Sequence, residues 1–69
     1  MSSVVSPAMT WHVTLSTGDR LTIAADSTFA DDSDQIFEVA TLAVPPELIE
    51  VVRLPAALIR DVVSEPRGR

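Results

Sequence analysis

His12 is the one side chain in this sequence whose ordinary pKa lets it trade a proton near neutral pH. With a Ser and an Asp it could form a hydrolytic triad, in which the imidazole acts as general base toward a hydroxyl. No Ser stands between glycines in the sharp turn that exposes a nucleophile, and 69 residues leave little chain to wall a substrate cleft. Catalysis is therefore not expected. The run Asp31-Asp32-Ser33-Asp34 has the oxygen chemistry of a calcium loop. A loop begun at Asp32 would need Gly where Phe37 stands and Glu where Ala43 stands, so the pattern fails at two required positions. A solvated acidic turn is the plainer expectation. Arg53 and Arg60 could clamp a carboxylate or phosphate, but Glu50 and Asp61 are close in sequence and ready to pair with them. Trp11, the only Trp, is a residue type common at binding hot spots, yet its place in an alternating segment assigns it to the core.

Metal and cofactor sites have little to draw on, because the chain has no Cys and a single His. No cofactor is expected, and no small-molecule substrate is evident. The formal charge of -5 sets a surface field that repels phosphate backbones and anionic lipid, so nucleic acid and membranes are unexpected partners. No apolar run approaches the ~20 residues of a membrane-spanning helix, and the start lacks a basic segment leading into an apolar one. A soluble, cytoplasmic protein is expected. Lys, Asn and Tyr are missing while all five cations are Arg, a bias that matches the codons of a GC-rich genome.

The elements follow from alternation. Trp11, Val13 and Leu15 alternate with polar residues, as do Leu21, Ile23 and Ala25, which predicts a hairpin of strands 10–16 and 20–25. A three-residue loop, Ser16-Thr17-Gly18, sets Val13 opposite Leu21 and Trp11 opposite Ile23, with the large apolar residues on one face; a two-residue loop would mix the faces. Gly18 then takes the left-handed position of a bulged turn. The acidic stretch from Asp26 to Gln35 reads as a loop that Phe29 tacks to the core. Segments 36–44 and 48–54 read as strands apolar on both faces, with a helix begun at Pro46 as the rival reading for residues 47–54. Pro55 suits the first turn of a helix over 56–64, where Leu58, Ile59, Val62 and Val63 form a stripe.

Together these predict an α+β fold: a four-stranded antiparallel sheet, or a partly open barrel broadly similar in architecture to SH3-like barrels, closed by one short C-terminal helix. Residues 1–9 are expected to be a flexible N-terminal extension, with Met9 a candidate second start, 10–65 a single domain, and 66–69 a frayed tail.

A chain this short buries only about 60% of its unfolded surface, and with disulfides excluded and metal nearly so, self-association is the staple that remains. One helix covers one face of two strands that are apolar on both. Phe37, Val39, Ile49 and Val51 are thus the expected interface of a two-fold homodimer, and the function read from sequence is a small, non-enzymatic, regulatory or accessory interaction module. An unidentified protein partner belongs to that reading. The alternatives are an acidic inhibitor imitating nucleic acid, of the kind phages encode, and a nucleic-acid-binding regulator working through the arginines.

Overall fold

The computed structural model describes residues 7–67. Strand β1 (Met9–Leu15) and strand β2 (Arg20–Ala25) form the first hairpin, with Val13 opposite Leu21 and Trp11 opposite Ile23. The loop is the three-residue one. Gly18 N–H donates to the Leu15 carbonyl at 2.9 Å, Leu15 N–H to the Asp19 carbonyl at 2.8 Å, and Gly18 adopts φ +98°, a backbone that side chains resist.

At Asp26 the chain turns a corner and enters β3 (Ser27–Asp31), which pairs antiparallel with β4 (Asp34–Ala40). The stretch expected to be an acidic loop is therefore mostly a hairpin. Its turn is only Asp32-Ser33, and Asp32 supplies the left-handed residue at φ +59°, a conformation that Asp tolerates better than most. The Asp26 carboxylate pins the corner, accepting from Ala8 N–H at 2.8 Å and from Ala40 N–H at 2.6 Å.

Strand β5 (Leu48–Pro55) pairs with β4, so residues 47–54 follow their β-branched content and not the helical signal of Pro46. A single 3-10 turn, Ala56–Leu58, leads into β6 (Ile59–Pro66), which pairs along β1. The expected α+β fold with a helix over 56–64 is thus corrected to a nearly all-β one. Among the described residues the architecture is two three-stranded antiparallel sheets, ordered β2-β1-β6 and β3-β4-β5, and their hydrogen bonding does not join into a closed barrel. Pro55 starts a helical turn as it should, but Ile59, Val62 and Val63 are β-branched and prefer a pleated surface to a helix too short to stand alone. The stripe still faces the core in part: a register shift between Thr14 and Leu15 brings Ile59 opposite Leu15 and Val62 opposite Val13.

The core lies between the sheets. Val13, Ile23, Ala25, Phe37 and Val39 are its buried members, with Trp11, Leu15, Leu21, Val52, Leu54, Ile59 and Val62 packed against them. Trp11 meets Phe37 edge to face at a centroid distance of 5.9 Å and donates its indole N–H to the Ala25 carbonyl at 3.1 Å, so its polar edge is satisfied. The cover that sequence assigned to a helix is supplied by the sheet β2-β1-β6. Met9, placed by sequence in a flexible extension, is the first residue of β1, while residues 1–6 and 68–69 of the expected extension and tail lie outside the described residues.

Candidate functional site

The four residues expected at an interface separate into two environments. Phe37 and Val39 are 0% and 3% exposed, because residues of β4 with odd numbers face the opposing sheet. Ile49 and Val51 remain 42% and 45% exposed on β5, an edge strand. Val51 owes its place to a register shift: Phe37 pairs with Val52 and Glu38 with Glu50, leaving Val51 as the extra residue of a bulge.

Around Ile49 and Val51 the chain exposes further apolar side chains. Leu48 begins β5, and Leu42 and Val44 project from the loop between β4 and β5. That loop is held by Thr41, which is buried. Its N–H donates to the Glu47 carbonyl at 2.8 Å, and its hydroxyl oxygen accepts from the N–H groups of Ala43 and Glu47 at 3.3 and 3.1 Å. The pinned loop therefore presents Leu42 and Val44 on a closed frame. Sequence reasoning placed both in a strand; Pro45-Pro46, which cannot continue a sheet interior, was the signal that the strand ends earlier.

The outward face of β3-β4-β5 is organised differently. Register sets Phe29, Ile36 and Arg53 in one row across the three strands, with Asp31 opposite Asp34 on one side and Glu38 opposite Glu50 on the other. Ile36 is buried although it faces away from the main core, while Phe29, expected to tack a loop inward, stands exposed beside it. Arg53 donates from Nε and Nη2 to Glu50 at 3.2 and 3.0 Å and from Nη1 to Asp34 at 3.0 Å. These bonds, that to Glu50 foremost and then that to Asp34, hold the guanidinium even more firmly protonated than usual. Like charges directly opposed on a sheet oppose folding, and Arg53 compensates Glu50 and Asp34 but leaves Glu38 without an ion pair among the described residues.

His12 lies on the outward face of β2-β1-β6, between Thr22 and Val63, with Nε2 3.4 Å from a Glu65 carboxylate oxygen. Arg60 donates to the Ser16 carbonyl at 3.3 Å. Arg53 and Arg60 are thus engaged separately and form no common clamp. Among the described residues no three His, Asp or Glu side chains gather closely enough to hold a metal ion, and no helix is long and apolar enough to cross a membrane.

No protein-family model matches the chain, and comparison with curated proteins and with solved structures gave no match.

Proposed function

We propose that this chain is a non-enzymatic protein-interaction module that pairs with a second copy of itself through β5 and the loop before it. The supporting observation is that Leu48, Ile49 and Val51 on the edge strand β5, and Leu42 and Val44 on the loop that leads into it, are all exposed. An edge strand offers unpaired backbone donors and acceptors, and apolar neighbours make pairing worth the loss of water. The interior adds a reason: among the described residues six hydrophobic ones are buried, against eight large hydrophobic ones left exposed. At about 1.5–3 kcal/mol per fully buried side chain, such a core leaves little margin that an interface would not improve. Light scattering coupled to size exclusion, run from ~1 to ~100 μM, tests the reading, because association depends on concentration. A species of twice 7.4 kDa is expected. A 7.4 kDa species throughout that range overturns it.

A second reading, an acidic surface that captures a basic partner, draws on the outward face of β3-β4-β5, where Asp31–Asp34 and Glu38–Glu50 oppose like charges. An oligo-arginine peptide should bind with affinity falling steeply as salt rises. Binding indifferent to salt, or none at all, rejects this second reading.

A further inference from the structure

The outward face of β2-β1-β6 carries an open hollow of about 240 Å³ lined by His12, Thr14, Arg20, Asp61 and Val63. Its shape follows from the register. Arg20, Thr14 and Asp61 form one row across the three strands, and Thr22, His12 and Val63 form the next. Thr14 and Val63 are short, β-branched side chains standing between longer ones, so they make a floor while Arg20, His12 and Asp61 make walls.

The charges on opposite walls have opposite sign. Arg20 is on β2 and Asp61 on β6, with β1 between them, which separates their backbones by about 10 Å, or two strand spacings. Neither enters an ion pair among the described residues. His12 directs Nε2 to Glu65, in the direction away from the Arg20 row. A cation and an anion thus face one another across a hydroxyl and an isopropyl group.

We infer that this hollow is a binding site for a small zwitterion of the α-amino acid class. The Arg20 guanidinium, with its two parallel donors, takes the carboxylate, and the Thr14 hydroxyl can donate a further bond. The Asp61 carboxylate accepts from the ammonium group, and an apolar side chain lies over Val63. The site belongs to the sheet that does not contain β5, and it stands or falls independently of self-association.

Titrating the full chain with L-valine, followed by amide chemical shifts in NMR, tests the assignment. Shifts should centre on Thr14, Arg20, Asp61 and Val63, with a dissociation constant on the order of 1 mM for a ligand this small in an open hollow. N-acetylvaline lacks the ammonium and valinamide lacks the carboxylate; each should bind about tenfold or more weakly. Arg20→Gln should abolish the preference for valine over valinamide, and Asp61→Asn the preference for valine over N-acetylvaline. Both positions are exposed, and the same spectra report that the variants are folded. The assignment is overturned if valine moves none of these amides up to about 20 mM, or if all three compounds titrate alike.

Discussion

Replacing Asp26 with Ala removes two hydrogen bonds from the corner where the chain leaves one sheet for the other. The bond to Ala40 N–H is 2.6 Å long and partly buried, so it falls within the range of about 1.5–3 kcal/mol for bonds to charged groups. The bond to Ala8 N–H, at 2.8 Å, is exposed and contributes about 0.5 kcal/mol after solvent competition. The sum is about 2–3.5 kcal/mol. For a domain of 60–100 residues this lowers Tm by roughly 8–28 °C. Thermal melts followed by circular dichroism and by Trp11 fluorescence read the change, at one fixed protein concentration so that association contributes equally to each variant. Asp26→Asn keeps one oxygen acceptor and should lose less, because that oxygen can turn to Ala40 N–H while the amide NH2 cannot accept from Ala8. Hydrogen exchange at the Ala40 amide should accelerate in Asp26→Ala beyond the change in its neighbours. A Tm within about 3 °C of the parent would refute the role assigned to this carboxylate.

Phe37→Ala should cost about 3–5 kcal/mol and leave the chain largely unfolded, whereas Ile49→Asp should keep a folded spectrum and shift the mass in light scattering toward 7.4 kDa; the same unfolding in both would erase the distinction between core and surface. Gly18→Ala should cost about 1–2 kcal/mol in urea titrations: open space surrounds the site, so the penalty comes from φ +98° alone, and an unchanged midpoint would show that the turn relaxes. Glu38→Gln should raise stability by about 0.2–1 kcal/mol at low salt by relieving the opposition to Glu50, with the gain shrinking as salt rises; a loss of stability would mean that Glu38 is compensated.

The parts of the fold legible in sequence are those where side-chain alternation and a turn glycine agree. Trp11 to Ala25 satisfied both, and register followed because only one loop length kept the apolar residues together. The hairpin of β3 and β4 was hidden because its turn uses Asp32 in place of a glycine, and because Thr28 and Ala30, on the inward side of β3, carry almost no apolar signal. Gln35 and Thr28 instead pair through their polar atoms at 2.7 Å. The C-terminal strand was misread because one bulge breaks its alternation: with Ile59 and Val62 both opposite inward residues of β1, the spacing imitates a helix. What was legible near β5 was an excess of apolar residues, of which Ile49 and Val51 are exposed and Phe37 and Val39 are buried. Which members face the core depended on a second sheet that no local pattern announces.

The pairing of β1 with β6 has a consequence for how the molecule is made and handled. The opening and closing strands are neighbours, and Arg67 N–H reaches the Ala8 carbonyl at 2.9 Å. A ribosome must therefore release nearly the whole domain before its earliest strand gains its second neighbour, so the pairing of β1 is complete only once β6 has emerged. The same adjacency makes circular permutation natural here: a short linker joining residues 8 and 67, with a new break in the exposed Ser16-Thr17-Gly18 turn, asks the backbone to cross almost no distance.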